Sequence, residues 1–493
     1  MIELVLFGTF LVCLFIGVPV AMSMGLSAFA TILFTGGVKA LAPASSILYA
    51  GLSSETLLAI PFFILAGVIM ELTGISRRLV EFADACFGHM KNGIALTAIL
   101  TALLFSSISG SGPATVAAIG GILIPALAKH GYSKRHAASL VATSGELGII
   151  LPPSIAYIVF AVVAADYAGP GVDRVTIGRL FMAGVVPGLI LVVVLYFIAR
   201  FLPRDMEIAK SNAAAHLSEA LGKNTRQRTA TVTATGAVAS TADNTGLLTI
   251  DDVTPVNAGS GAGIGMRARR APAGVVFKAF LRAVPGLLVP VIILGGIYGG
   301  IFTPTESAAV ASVYALVVGL FVTRDLKFAE VFKIFTSAGI MSGRIMLIIA
   351  SATLFAYVIT RNQIAKHVAD WMLSLTDSMV LLVLIINLAL LIAGMFLDAI
   401  SAFYLFIPLF VPVLLELGMN LTTIGVMMTM NLAIGLITPP VGIDLFVAAS
   451  IAKIPFGEAV KGVVPFVVSG IIVLLFVTFI PALSNWLPDL LGL

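Results

Sequence analysis

Long apolar runs follow one another along most of the chain, and two of them contain a pair of adjacent prolines. The first pair lies in GIILPPS at 148–154 and the second in GLITPPV at 435–441. Proline has no backbone N–H and disfavours helix at the residue before it, so each pair predicts a helix that breaks midway. Pro152 and Pro439 are 287 residues apart, and Pro125 and Pro412 share that interval. Because several proline positions repeat at the same interval of 287 residues, they indicate that the second part of the chain is a duplicate of the first.

The first copy is predicted over residues 1–204. Residues 2–36 exceed one membrane span of about 20 residues and contain Pro19, so they predict two short helices or one sharply broken helix. Residues 93–128 form two apolar arms around a small polar tip with basic residues beyond both ends, which predicts a re-entrant hairpin open to the cytoplasm. The other predicted elements are spans at 55–73 and 179–199, an amphipathic arm at 77–84 and a broken helix at about 136–165.

The second copy is predicted over residues 275–493. It should contain spans at 284–302, 305–322 and near 337–359, an arm at 361–375, a hairpin at about 380–415 and a broken helix at about 422–452. Each copy has about five crossings and a hairpin, and an odd number of crossings makes the two copies inverted repeats, as in secondary transporters. The polar residues 205–274 predict a mostly disordered cytoplasmic linker. The N- and C-termini are then predicted to be periplasmic.

Composition limits the class of protein. The chain is 59% hydrophobic and 11% charged, and its mean hydropathy of +1.12 excludes a soluble globular protein. We therefore predict an all-α polytopic membrane protein in the lipid bilayer. The net charge of +4 is spread over loops and indicates no nucleic acid partner. The sequence contains no nucleophile elbow or phosphate loop, so an enzyme is not expected.

Broken helices and hairpin tips can bind ions, because they present free carbonyls and the positive ends of helices. We predict at least two Na⁺ sites, one in each copy. The expected Na⁺ ligands are Ser106, Ser107, Ser109, Gly110, Gly145, Gly148 and Pro152 in the first copy, and Gly394, Asp398, Asn431, Gly435 and Thr438 in the second. The expected substrate contacts are Ser109, Ser111, Ser154, Asp398 and Ser401.

Two of these assignments have an alternative. Asp398 is a carboxylate inside an apolar hairpin, which is costly in a membrane and indicates ion or gating chemistry. It could instead be a helix N-cap or the partner of a buried arginine. The serines of the first tip could instead serve close helix packing, since small residues let helices approach. For Glu306, after Thr303-Pro304-Thr305, a capping role is favoured over substrate or proton movement.

Several motifs together resemble the large membrane subunit of tripartite ATP-independent periplasmic (TRAP) transporters. They are LAIPFFILAG at 58–67, ISGS at 108–111, GELGIILPPS at 145–154, GIFTPTE at 300–306 and GLITPPVG at 435–442. The resemblance implies Na⁺-driven uptake of an organic acid, such as a C4-dicarboxylate or a sialic acid, by an elevator movement in the bacterial inner membrane. It also implies a periplasmic binding protein and a small membrane subunit as partners.

Two features depart from this family. The halves are usually joined by a short loop, whereas residues 205–274 are long, and Asp444 stands where a neutral polar residue is expected. The main alternative function is a stand-alone ion-coupled carboxylate transporter of related fold without a binding protein. A remote alternative is a passive channel or scaffold subunit. The sequence does not specify which organic acid is carried.

Overall fold

The computed structural model describes residues 1–90, 92–168, 174–204, 271–376 and 378–493. Most of the predicted linker therefore lies outside the described residues. The first helix after it begins at Ala273, so the last two residues of the predicted linker are helical. Of the described helices, eight are long and apolar enough to cross a membrane, and a bent pair gives a ninth. The prediction of a polytopic membrane protein is confirmed.

The first part of the chain begins with two helices, because Pro19 stands immediately before the second one. A short helix at 44–52 was not predicted, and it precedes the expected span and amphipathic arm. These helices are α1 (Ile2–Phe15), α2 (Val20–Gly36), α3 (Ala44–Leu52), α4 (Ala59–Leu72) and α5 (Ile75–Phe87). Arg78 of α5 forms an ion pair of 2.6 Å with Asp325, which joins the arm to the second half of the chain.

The first hairpin and the first broken helix follow. The hairpin consists of α6 (Gly93–Ser109) and α7 (Gly112–Lys129), which pack together and are joined by only Gly110 and Ser111. Gly110 has a φ of +61°, a conformation that glycine adopts without a Cβ penalty. The broken helix comprises α8 (Lys134–Gly145), α9 (Leu147–Ile150) and α10 (Ile155–Ala164), with a bend of 42° at residues 151–154. Helix α11 (Ile177–Phe201) closes this half.

The second half contains longer spans than the sequence predicted. The expected span at 337–359 is part of a helix of 34 residues, and the expected span at 284–302 overlaps a helix of 26 residues that begins earlier and ends at Tyr298. The predicted N-terminal bounds were too late because charged residues near the helix starts lower the local hydropathy. The helices are α12 (Ala273–Tyr298), α13 (Pro304–Val317), α14 (Phe328–Arg361) and α15 (Ile364–Leu375).

The second hairpin and the second broken helix lie at the predicted places. The hairpin consists of α16 (Met379–Gly394) and α17 (Ala399–Glu416), and the broken helix of α18 (Leu421–Gly435) and α19 (Ile443–Ala452). Both proline pairs, Pro152-Pro153 and Pro439-Pro440, have cis peptide bonds. Helix α20 (Phe456–Phe479) follows, and a short helix that was not predicted, α21 (Ala482–Leu490), ends the chain.

Each half of the chain contributes a helix that packs against the hairpin of the other half. Helix α10, after the first break, packs against α17 and α18 of the second half. Helix α19, after the second break, packs against α7 and α8 of the first half. Each hairpin is therefore covered by a helix from the other half of the chain. The inversion of the two repeats and the re-entrant path of the hairpins remain predictions.

Candidate functional site

The first hairpin tip lies directly against the first helix break. An ideal Cβ atom at Gly110 would be 3.0 Å from the carbonyl oxygen of Pro153, and one at Gly148 would be 2.8 Å from the carbonyl oxygen of Ser111. A Cβ atom at Gly145 would be 3.2 Å from the carbonyl oxygen of Gly112. Only glycine permits these approaches, so the backbones of the tip and the break meet without intervening side chains. The structure thus brings Gly110, Gly145 and Gly148 together, as the sequence predicted.

The serines near this tip are held by local hydrogen bonds. Ser109 Oγ donates to the carbonyl oxygen of Ser111 at 3.0 Å and is 2.8 Å from Thr115 Oγ1. Ser106 Oγ and Ser107 Oγ each donate at 2.8 Å to a carbonyl oxygen three residues back in α6. Ser154 Oγ donates across the break to the carbonyl oxygen of Ile149. A donating hydroxyl keeps lone pairs for a cation, so these bonds fix the orientation of the oxygens without consuming them.

The second hairpin approaches the second break in the same manner. An ideal Cβ atom at Gly394 would be 3.1 Å from the Cα atom of Gly435. Asn431 Nδ2 donates at 2.9 Å to both the backbone and the side-chain oxygen of Asn387, while its buried Oδ1 has no partner among the described residues. Thr438 Oγ1 donates at 2.6 Å to the carbonyl oxygen of Ile434. Gly394, Asn431, Gly435 and Thr438 thus belong to one buried region.

Asp398 caps helix α17. Its Oδ2 accepts from the backbone N–H groups of Ile400 and Ser401 at 3.1 Å, and its Oδ1 accepts from Ser401 Oγ at 2.6 Å. The N-cap alternative is confirmed. The alternative of an arginine partner is not, because the ion pairs of the described residues do not include Asp398. A capping carboxylate can also hold a cation, so the capping role leaves the ion role open.

The favoured role of Glu306 is confirmed as well. Its Oε2 accepts from the backbone N–H of Thr303 at 2.8 Å, and its own N–H donates to Thr303 Oγ1 at 3.2 Å. This reciprocal arrangement is a capping box at the start of α13. Its side chain is exposed at the helix terminus.

Two carboxylates lie beside the first tip: Glu146, which sequence reasoning missed, and Asp444, which the sequence marked as unusual without placing it at this site. Glu146 and Asp444 are completely buried, and none of their four oxygens accepts a hydrogen bond from a described residue. Asp444 comes from α19 but reaches the first half, since a Cβ atom at Gly112 or Gly145 would meet its Oδ2. The signal for Glu146 was present in the sequence, because an ionisable residue inside an apolar span indicates function by default. Glu146 stands within the GELGIILPPS motif at 145–154, and its charge was not considered apart from that motif.

A cavity of about 580 Å³ lies away from the predicted site. Its lining includes Arg174, Arg179, Thr422 and Leu493, from the start of α11, the start of α18 and the end of the chain. Arg179 here bonds Asp489 of the last helix. None of the predicted Na⁺ or substrate residues lines this cavity.

Comparison with known proteins links this architecture to a transporter family. The family model of the tripartite ATP-independent periplasmic transporter, DctM component, matches residues 7–483. The chain is 38% identical over 442 residues to the C4-dicarboxylate TRAP transporter large permease protein DctM of Pseudomonas aeruginosa, covering 89% of this chain and 87% of that protein.

Two further similarities concern a fused relative and the fold. The isethionate TRAP transporter permease protein DctMQ of Oleidesulfovibrio alaskensis is 35% identical over 97% of this chain, which spans 65% of that longer protein. The Alcanivorax borkumensis YdaH transporter, whose crystal structure has been described as having an unusual topology, matches with a TM-score of 0.54 and 12% identity over 94% of this chain and 90% of that one. That similarity supports the fold alone.

Proposed function

This chain belongs to the DctM component family of tripartite ATP-independent periplasmic (TRAP) transporters, and we propose that it carries an organic acid across the bacterial inner membrane by Na⁺-coupled secondary uptake. The observation that carries the proposal is the contact of a hairpin tip with a helix break in each half, at Gly110 and at Gly394. Such discontinuous elements bind ions and substrates in secondary transporters.

The substrate class follows from the relatives and from the geometry. The similar proteins named above transport C4-dicarboxylates or isethionate by name, both of which are organic acids. Helix α10 begins at Ile155, directly after Ser154, and no side chain caps its N-terminus, which attracts an anionic group. We therefore assign this chain a C4-dicarboxylate, a sialic acid or a similar carboxylate, with Ser109, Ser111, Ser154 and Ser401 as contacts.

The ions occupy one site in each half. In the first site, hydroxyls of Ser106, Ser107 and Ser109 and carbonyls around Gly145, Gly148 and Pro152 replace the water shell of Na⁺. In the second site, Asp398 and Asn431 contribute with carbonyls around Gly394, Gly435 and Thr438. The unpartnered Oδ1 of Asn431 supports this assignment, because a buried oxygen without a donor favours a cation.

Transport proceeds by an elevator movement with partner proteins. The hairpins and broken helices carry the substrate and ions as one body, while the remaining spans and arms stay fixed. A periplasmic binding protein delivers the substrate and a small membrane subunit completes the fixed part, and the fused DctMQ relative supports the second association. Residues 205–270 are cytoplasmic and both termini periplasmic in this orientation.

Reconstitution in liposomes tests the proposal. The full-length chain with its small membrane subunit should accumulate radiolabelled succinate or sialic acid only when a Na⁺ gradient and the binding protein encoded with it are both present. Uptake without the binding protein would support the stand-alone transporter instead. Uptake down the substrate gradient alone, insensitive to Na⁺, would support a channel and overturn the proposal.

A further inference from the structure

Helix α4 is attached to α13 at several levels. Thr305 Oγ1 donates at 3.1 Å to the carbonyl oxygen of Glu55, just before α4 begins. Ser312 Oγ donates at 2.7 Å to the carbonyl oxygen of Phe62, within α4. The ion pair described above then joins the arm that follows α4 to the segment after α13. Because these three levels are fixed, α4 and α13 form one rigid pair.

Another side of α4 touches the first hairpin tip at Gly67. An ideal Cβ atom there would be 3.7 Å from the Cα atom and 3.9 Å from the carbonyl oxygen of Ser109, which is ordinary van der Waals distance. Residues three and four positions away lie on the same side of a helix, and here they include Phe63, Ile64 and Met70, whose side chains are buried. Gly67 is therefore a gap between larger side chains, which we call the Gly67 notch, and the backbone of Ser109 lies in it.

The first hairpin tip is held less tightly by α4 than by the first break. At the break, an ideal Cβ atom at Gly148 would be only 2.8 Å from the carbonyl oxygen of Ser111, compared with a nearest distance of 3.7 Å at the Gly67 notch. No hydrogen bond joins residues 106–111 to α4 within the described residues, and three of the serine hydroxyls of the tip bond inside the hairpin. The tip can therefore leave α4 without breaking a hydrogen bond while it keeps its contact with the break.

We infer that Gly67 is a positioning residue for transport: the Gly67 notch holds the first hairpin tip in the conformation described here, and the tip leaves the notch when the binding region moves. This role rests on the proposed elevator movement, in which α4 stays fixed and the first hairpin travels. The notch is the point at which the tip comes to rest against the fixed part. Because Gly67 is not among the proposed Na⁺ or substrate contacts, a change at this position should alter the rate of transport and leave ion binding intact.

Side chains of increasing size at position 67 test this role in the reconstituted liposomes. Gly67→Ala should retain wild-type uptake, because its methyl group fits at van der Waals distance from Ser109. Gly67→Val and Gly67→Leu place further atoms where the backbone of Ser109 lies. Their maximal uptake rate should fall about tenfold, which is the usual effect of an overpacked contact on an equilibrium. The half-saturating Na⁺ concentration should not change.

Ion binding separates this effect from damage to the binding region. Each full-length variant in detergent is dialysed against radioactive Na⁺ and should bind as many ions per chain as the wild type. Gly295→Leu in α12 is the matched control, because no described atom outside the neighbouring backbone of its own helix lies within 4 Å of its Cβ position. This control should retain wild-type uptake. Wild-type uptake in both Gly67→Val and Gly67→Leu would overturn the inference, and so would a loss of bound Na⁺ that accompanies the loss of uptake.

A reversible cross-link tests the movement of the tip directly. In a background of Cys13→Ser and Cys86→Ser, Gly67→Cys is combined with Ser109→Cys. Oxidation should join the two positions by a disulfide and stop uptake, because the tip can then no longer leave the Gly67 notch. A reductant should return uptake to the level that the same variant had before oxidation.

A second cysteine pair provides the control within the fixed part. The Cβ position of Gly25 in α2 is 3.5 Å from the Cβ atom of Ser351 in α14, which suits a disulfide. Oxidation of Gly25→Cys with Ser351→Cys should leave uptake unchanged, because α2 and α14 do not move relative to each other. If this pair is joined and the pair at Gly67 and Ser109 is not, the inference is wrong.

Transport measurements separate the role of Gly67 from the proposed coupling. If the cross-linked protein still takes up substrate in a Na⁺-dependent manner, only the role of Gly67 fails. If cross-linking stops uptake but wild-type uptake does not require Na⁺, the coupling fails and the Gly67 notch is retained. Where both hold, Gly67→Leu should lower the maximal rate at saturating Na⁺ without changing the Na⁺ concentration that gives half of it.

Discussion

The backbone of Gly435 packs against the backbone of Gly394 so closely that a Cβ atom at position 435 would lie 2.9 Å from the Gly394 carbonyl oxygen. Gly435→Ala should therefore push the second hairpin away from the second break and lower the free energy of unfolding by about 1–3 kcal/mol. Thermal unfolding in detergent and Na⁺-driven uptake in liposomes would measure both effects. Uptake should fall markedly even where the protein folds.

The control for this variant is Gly339→Ala. Gly339 lies inside α14, and no described atom outside the neighbouring backbone of its own helix lies within 4 Å of its Cβ position. Alanine there should stabilise the helix by up to about 1 kcal/mol and leave uptake unchanged. Equal losses of uptake in the two variants would show that the Gly394–Gly435 contact has no special role.

Two substitutions separate the roles of Asp398. Asp398→Ala removes the N-cap of α17 and should cost about 1 kcal/mol of stability. Asp398→Asn keeps a capping oxygen and removes the charge, so stability should be retained. If Asp398 binds Na⁺, both variants should raise the half-saturating Na⁺ concentration for uptake about tenfold, equivalent to about 1.4 kcal/mol. If the half-saturating Na⁺ concentration of Asp398→Asn equals that of the wild type, Asp398 serves only as the N-cap of α17.

Two substitutions likewise separate the structural role of Asn431 from its proposed role as an Na⁺ ligand. Asn431 lies in α18, before the second break, and its partner Asn387 lies in α16. Asn431→Ala loses two buried hydrogen bonds to Asn387 and should cost about 1–3 kcal/mol. It should also weaken Na⁺ stimulation, because the free Asn431 Oδ1 is a proposed ligand. Asn387→Ala keeps the bond to the backbone oxygen, so its Na⁺ dependence should remain near that of the wild type. Identical Na⁺ responses in the two variants would contradict the ligand role of Asn431.

The end of the chain depends on Arg179. This guanidinium donates to Thr422 Oγ1 at 2.9 Å and to Asp489 Oδ1 at 2.6 Å, and it also reaches the backbone of Leu493. Arg179→Ala should free α21 and lower the free energy of unfolding by about 1–2 kcal/mol, since these bonds are partly exposed. Thermal unfolding and limited proteolysis near the C-terminus would show the change.

A surface arginine is the comparison for Arg179. Arg77 forms an ion pair with Glu81 one helical turn away, with 52% of its side chain exposed. Arg77→Ala should alter stability by less than about 0.5 kcal/mol, as is usual for such pairs. Equal destabilisation by both arginine substitutions would mean that the anchoring of α21 contributes nothing measurable.

Local chemistry made much of the site predictable from the sequence. Pro152 and Pro439 mark the breaks because proline cannot continue a helix, and the breaks lie at residues 151–154 and 436–442. Gly110 and Ser111 mark the first tip because a small polar turn cannot face lipid. These signals act within a few residues of each other, and the structure places the tips beside the breaks as the sequence predicted.

Long-range contacts were not predictable in the same way. Asp444 was noticed as unusual, but its partner surface at Gly112 is more than 300 positions away and belongs to the other half. No periodicity or composition encodes that contact, because it depends on how the halves pack. The short helices α3 and α21 were missed for a local reason, since each has only 9 residues and is therefore well below the length of a membrane span.

Because each half of the chain covers the hairpin of the other half, the two halves should not function when they are produced separately. Helix α10 covers elements of the second half, and α19 covers elements of the first. If the chain were cut within residues 205–270 and expressed as two polypeptides, neither fragment would contain the helix that covers its own hairpin. Activity would return only after the two fragments had assembled with each other in the membrane.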